Sequence, residues 1–119
     1  MSHVAYNRSV DKKEIFWLHG EIKTPPFSPE ARSNAGALLR YLQWGITLTI
    51  PQSRSMPVIG PRCHELRVQD KDKTWRIMYR VDGDAVIVLD IFAKKTQTTP
   101  QGVVEKCKKR LTNYDDATR

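Results

Sequence analysis

Apolar residues change their spacing several times along this chain, and each change marks an element. EIFWL, Glu14 to Leu18, is a short apolar and aromatic run that predicts a first strand. TPPFSP then breaks regular structure, and Ser28 before Pro29 has the form of a helix N-cap followed by proline in the first turn. From Pro29 to Trp44 the apolar positions Ala31, Ala35, Leu38, Leu39 and Leu42 recur at the spacing of a helix that buries one face, and Gly45 suits its C-terminal cap. ITLTIPQSRSMPVIGP, with three prolines and a glycine, predicts a long loop whose only charge is Arg54. Loops longer than about 12 residues in small domains are often functional.

Three strands follow, Arg62 to Val68, Thr74 to Val81 and Asp84 to Phe92. Asp82-Gly83 predicts a two-residue type I′ hairpin that pairs Val81 with Asp84, and therefore Tyr79 with Val86, Ile77 with Val88 and Arg76 with Leu89. The looser QDKDK turn, centred between Lys71 and Asp72, would set Arg67 directly opposite Arg76. Thr99 before Pro100 repeats the cap-and-proline signature. Val103, Val104, Cys107 and Leu111 then mark a short amphipathic helix ringed by Lys106, Lys108, Lys109 and Arg110. The order β, α, loop, β, β, β, α is that of a single α+β domain with about four strands, residues 1–12 being expected to fray.

Alternation then assigns faces. One collects Leu66, Val68, Trp75, Ile77, Tyr79, Val86, Val88 and Phe92, enough apolar area to receive the first helix. The other carries Glu65, Arg67, Arg76 and Arg80 beside Met78, Ile87, Leu89 and Ile91, with the last helix as a candidate cover. Charged strand faces are mostly just solvated, and Glu65 would neutralise one neighbour. Yet like charges set opposite each other cost about 0.2–1 kcal/mol, and a phosphate held between two planar bidentate donors would offset that. Lys94 and Lys95, at the end of the last strand and just before a helix N-terminus, would extend a cationic rim.

The composition fits such a rim. Twenty Lys and Arg stand against thirteen Asp and Glu in 119 residues, a formal charge of +7 that suits a polyanion or an acidic protein partner. Two cysteines, Cys63 and Cys107, are too few for a disulfide framework and are expected as buried free thiols. The three histidines have no metal-site spacing, and neither a metal nor another cofactor is expected. With no secretory apolar region and no run long enough to span a bilayer, the chain is read as cytoplasmic and without a membrane partner.

From Ala37 to Thr112 the sequence resembles the phage-derived Gp49-like branch of the HigB toxins, within the RelE/ParE superfamily. The likeness is carried by LRYLQWG, LTIPQSRSMPVIG, the ELR at Glu65 to Arg67, RIMY at Arg76 to Tyr79, VIVLDIFAKKTQTTP and EKCKKRL, in that order. The resemblance implies a small twisted antiparallel sheet with one or two N-terminal helices packed on it and a short C-terminal helix. It also implies the toxin of a type II toxin–antitoxin system, with mRNA on the ribosome as target and a helix-turn-helix, HigA-like antitoxin as partner. Family basic positions correspond to Arg67, to the place of Glu65 where some relatives have lysine, to Arg76, to Lys94 or Lys95, and to Arg54 in the loop. RelE-type enzymes place a tyrosine near the start of the last helix, whereas here that region reads TQTTPQGVV, and Tyr114 lies too far along to replace it.

Metal-independent RNA cleavage needs a base for the 2′-OH proton, cations for the phosphorane charge and an acid for the leaving 5′-oxygen. Arg67 and Arg76 suit the charge, Glu65 is the nearest candidate base although a guanidinium beside it weakens it, and Lys95 or Lys94 would orient phosphate or donate a proton. Arg54, Arg80 and Lys94 are expected to contact nucleic acid. His64 and Tyr79 are expected on the core side, in packing roles. The rival readings are a ParE-like poison of DNA gyrase and a non-catalytic prophage remnant that binds nucleic acid or an antitoxin.

Overall fold

The computed structural model describes residues 12–94 and 99–119. The expected fraying of residues 1–12 falls, apart from Lys12, outside the described residues, as does Lys95. The elements are β1 (Glu14–Trp17), α1 (Pro29–Gln43), β2 (Ser53–Ser55), β3 (Cys63–Asp70), β4 (Lys73–Val81), β5 (Ala85–Lys94) and α2 (Gln101–Thr118). The strands form one five-stranded sheet in the order β1-β5-β4-β3-β2. It is an α+β fold with one helix on each face, and among the described residues one helix, α1, precedes the meander.

Two features of the sheet differ from expectation. It is mixed rather than wholly antiparallel, because β1 pairs parallel with β5 from Glu14↔Ala85 to Trp17↔Val88. The polypeptide leaves β1 at one edge, crosses with α1 to the opposite edge, and meanders back until β5 runs beside β1. Nothing in the alternation of EIFWL records its neighbour's direction. The long loop also contains a strand, since Ser53–Ser55 pairs antiparallel with β3 and places Arg54 opposite Glu65. Three polar residues are too few to show a period; tertiary bonds hold them, among them a 2.6 Å hydrogen bond between the Ser53 Oγ and Tyr79 Oη hydroxyls.

Helix α1 begins and ends as its sequence signals. The Ser28 hydroxyl accepts from Ala31 N at 3.0 Å. At the far end Gly45, with φ +84°, follows the cap residue Trp44. Gly45 N donates to Leu42 O and Ile46 N to Tyr41 O, the paired bonds of a Schellman motif. Ala31, Ala35, Leu39 and Leu42 pack with Leu66, Val68, Trp75, Ile77, Tyr79, Val86 and Val88. Phe27, just before the helix, stacks on Trp75 at 4.0 Å and 11°. One oxygen of buried Asp70 ties this corner together, accepting from Trp75 Nε1 at 2.8 Å and from Ser28 N at 3.0 Å.

The β3–β4 turn keeps the expected register, with Arg67 opposite Arg76. The β4–β5 hairpin does not. Asp82 N donates to Ala85 O, so the turn centres on Gly83-Asp84, and no residue in it has the positive φ of a type I′ turn. Val81 therefore faces Val86 and Tyr79 faces Val88, which leaves the faces unchanged because each partner moves by two residues. Further on, a β-bulge between Met78 and Tyr79 takes the pairing from Val88 to Asp90 and leaves Leu89 as the extra residue. One extra residue exchanges the faces beyond it. Ile91 consequently packs with the α1 core and Phe92 with the α2 core, the reverse of expectation, and Arg76 faces Phe92 rather than Leu89.

Helix α2 covers the second face, burying Val104, Cys107 and Leu111 against Cys63, Met78, Ala85, Ile87 and Leu89. Cys63 and Cys107 are buried free thiols, pushed up by burial to about 11 and about 12 and so chemically quiet at neutral pH. The far half of α2 is clamped to β4 by Arg80, whose Nη1 and Nη2 bond Asp115 at 3.0 and 2.8 Å while Nε and Nη2 bond Asp82 at 2.9 and 2.8 Å. Among the described residues no helix is long and apolar enough to cross a membrane.

Two outcomes are expected. Tyr79→Phe strands the buried Ser53 hydroxyl, and should lower the unfolding free energy by about 1–2 kcal/mol in a denaturant titration. The Asp70 carboxyl is held below its usual range, first by the Ser28 backbone N–H and then by the Trp75 indole, and Asp115 first by hydrogen bonds from Arg80. Their stabilisation is thus present above the unfolded carboxylate value of about 3.9 and lost as pH falls through the lower folded values. Asp70→Asn and Asp115→Asn should each flatten the acid limb of the stability curve, with little change in its slope above pH 5 on thermal melts.

Candidate functional site

The site grows out of strand pairing. Alternation along β3 sends Glu65 and Arg67 to one face, β2 sets Arg54 beside Glu65, and β4 sets Arg76 beside Arg67. Three guanidinium groups thereby surround one carboxylate. Glu65 Oε1 accepts from Arg76 Nη1 at 2.8 Å and from Arg67 Nε at 3.2 Å, and Arg54 Nε lies 3.2 Å from the same oxygen. Oε2 accepts from the Thr99 hydroxyl at 3.3 Å. Glu65 is fully buried and the Arg76 side chain only 3% exposed, whereas Arg67 and Arg54 reach solvent with 24% and 35% of theirs.

The pair Arg67↔Arg76 has its own structural reason. Glu65 lies between like charges that alignment would otherwise make unfavourable, and a buried ion pair holds only when its remaining lone pairs and protons are also satisfied. Among the described residues the cluster brings three guanidinium groups to one carboxylate. It borders a recess of about 310 Å³, lined by Arg67, Arg76, Pro51, Gln52, Gln69 and Thr74. Guanidinium donors at the wall of a polar recess favour a tetrahedral oxyanion such as a phosphate, which they bind in bidentate fashion.

The residues singled out from the sequence separate into groups. Glu65, Arg67, Arg76 and Arg54 come together. Lys94 ends β5 opposite Thr74, so the strand runs out beside the recess, while Lys95 lies outside the described residues. Arg80, expected as a nucleic-acid contact, is instead buried in the clamp with Asp82 and Asp115, whose carboxylates hold its protonated form. His64 is on the α1 side, stacked on Tyr79 at 5.2 Å, where burial lowers its tendency to protonate. Tyr114 packs between Phe16 and Arg80. Among the described residues no group of three or more His, Cys, Asp or Glu is arranged to hold a metal ion.

Thr99 was not foreseen as part of the site. Its place before Pro100 reads as a cap, but Pro100 occupies the N-cap of α2 without a side-chain bond, and the Thr99 hydroxyl serves Glu65. A buried carboxylate gains more from that donor than an exposed helix end, which water can satisfy, gains from the hydroxyl. No local signal distinguishes the two uses.

Together these features define a small α+β protein with a carboxylate-organised arginine cluster at one end of a mixed sheet. The family model for the phage-derived Gp49-like proteins matches residues 25–112, from just before α1 into α2. The chain belongs to this family, which is a RelE/HigB-like toxin family. The match contains the whole arginine cluster and leaves β1 outside. No curated protein matches the chain significantly.

Removing the carboxylate should be felt in the fold before any activity is considered. Glu65→Gln keeps the shape but removes the buried negative charge that three guanidinium groups share, and should cost about 3–5 kcal/mol of stability in urea unfolding. Arg54→Ala, a partner closer to solvent, should cost clearly less.

Proposed function

We propose that this protein is the toxin of a type II toxin–antitoxin pair and acts in the cytoplasm as a metal-independent, ribosome-dependent mRNA endonuclease. The observation that carries the reading is the cluster of guanidinium groups gathered around buried Glu65, two of which, Arg67 and Arg76, line a polar recess. Family membership supports a toxin-like role and, with it, an antitoxin partner; a helix-turn-helix antitoxin of the HigA type is the partner proposed here.

In this reading the scissile phosphate lies against Arg67 and Arg76. The 2′-hydroxyl gives its proton to solvent water as its oxygen attacks phosphorus, the P–O5′ bond breaks, and the products are a 2′,3′-cyclic phosphate and a 5′-hydroxyl. The two guanidinium groups stabilise the charge that develops on the phosphorane oxygens, the kind of interaction whose loss commonly lowers turnover about 10²–10³-fold. They do not exchange protons, because guanidinium stays protonated. Glu65 acts as a positioning residue, since its Oε1 is already engaged by three guanidinium groups and it has no exposed surface. Arg54 and Lys94 hold flanking phosphates, and Lys95 donates the proton to the leaving 5′-oxygen. Arg80 is left out, being committed to Asp82 and Asp115.

The test is inducible expression with mapping of transcript 5′ ends. Wild type should arrest growth and produce in-frame cuts. Arg67→Ala should reduce cutting by about 10²-fold or more while its circular dichroism and melting stay near wild type, because Arg67 is the more exposed member of the facing pair. Arg76→Lys should be similarly impaired, as a point charge does not replace a planar fork. Undiminished cutting in a folded Arg67→Ala/Arg76→Lys double variant would sink the site assignment. Intact transcripts with stalled replication would mean a gyrase poison, and growth without any phenotype a non-catalytic remnant.

A further inference from the structure

A second recess, of about 320 Å³, adjoins the arginine recess and shares Gln52, Arg67 and Gln69 with it. Its remaining wall comes from the exposed flank of α1 and from β3: Asn34, Ala37, Leu38 and Val68. The two differ in chemistry. The first has two guanidinium groups, whereas the second combines apolar surface from Ala37, Leu38 and Val68 with the carboxamides of Asn34, Gln52 and Gln69. Arg67 stands where they meet.

Apolar walls with a few convergent polar groups make the usual form of a small-molecule site. Carboxamides carry a donor and an acceptor side by side, the pattern that complements the edge of a nucleobase. Unstacked bases in single-stranded RNA are held by apolar or aromatic surface or by guanidinium planes, and are read along their edges. Asn34, Gln52 and Gln69 are all exposed, so none is tied up by the core. Gln69 uses its Oε1 to accept from the Thr74 hydroxyl at 3.0 Å, which orients the amide and directs its N–H₂ group elsewhere. The position of Gln52 is set by its backbone, whose carbonyl accepts from Arg67 N at 2.8 Å.

We infer that this second recess takes the unpaired nucleobase next to the phosphate held by Arg67 and Arg76, and that Asn34, Gln52 and Gln69 determine which base is accepted there. The inference rests on the RNA reading above and adds the specificity subsite to it. Ala37, Leu38 and Val68 contact the flat face of the base, the carboxamides meet its edge, and Arg67 connects base and phosphate. The three amides are specificity determinants, not catalytic residues.

The experiment compares transcript 5′ ends after induction of wild type, Asn34→Ala, Asn34→Asp and the Gln52→Ala/Gln69→Ala double variant, each checked for folding by thermal melting. Loss of the carboxamide edge should reduce the preference for the favoured base beside the cut by about tenfold, the scale of one good bidentate contact. In Asn34→Ala, whose residue lines the second recess alone, total cutting should stay within a few-fold of wild type; Gln52 and Gln69 also line the arginine recess, so their double variant is read by its base preference only. Asn34→Asp, which replaces a donor by an acceptor, should change which base is favoured rather than only weaken the preference. Unchanged base preference in all the folded variants overturns the subsite while leaving the endonuclease reading in place. Uniformly slower cutting with the preference preserved also overturns it, since that is the signature of phosphate binding alone. Absence of cuts in wild type overturns the endonuclease reading and the subsite with it.

Discussion

The arginine-rich end of this molecule depends on one buried carboxylate. Glu65 has no exposed surface, yet it stands at the meeting point of β2, β3, β4 and the segment leading into α2, and each contributes a partner: Arg54 by an ion pair, Arg67, Arg76 and Thr99 by hydrogen bonds. A charge so placed must be compensated, and compensating it with three guanidinium groups fixes their directions as well as their charges. Two arginines at a cross-strand pair would separate in its absence. With it they are held together at the wall of the recess. Structure and chemistry at this end are therefore one arrangement: the ion cluster that ties the edge strand β2 to the sheet also orients the cations a phosphate would meet.

The opposite end of β4 uses the same ingredients for another purpose. Arg80 is on the same face of the strand as Arg76 and is also buried, but its partners are two carboxylates, Asp82 and Asp115, from the hairpin and from α2. There two carboxylates face one buried guanidinium, and Arg62, joining Asp82 at 3.2 Å, brings the charges into balance. The balance of acids and bases around each arginine separates a structural clamp from a candidate anion site. Each strand end thus attaches its own neighbour, α2 at one end and β2 at the other.

Much of the framework was legible in the residues. Ser28-Pro29 and Gly45 bounded α1 because capping chemistry is local, and the apolar spacing between them named the face it buries. The QDKDK turn was symmetric enough to place Arg67 opposite Arg76 before any coordinates. Other parts were hidden because their causes are distant in sequence. Ser53–Ser55 is a strand only because β3 lies beside it. The bulge that turns Phe92 toward α2 and Ile91 toward α1 leaves no periodic trace in VIVLDIF, where every position is apolar enough for either face apart from Asp90.

By itself the sequence determined the α+β class, the two amphipathic helices, the facing arginines and the family, all of which follow from local propensity, period-two alternation and the order of short motifs. Only the tertiary structure decided that Glu65 is a buried hub and not an exposed carboxylate, that Thr99 serves it instead of capping α2, and that Arg80 is committed to a clamp. The physical reason is that burial and charge pairing are properties of neighbourhoods. A residue's own identity states which bonds it can make, while the partners brought beside it by other strands decide which of those bonds exist.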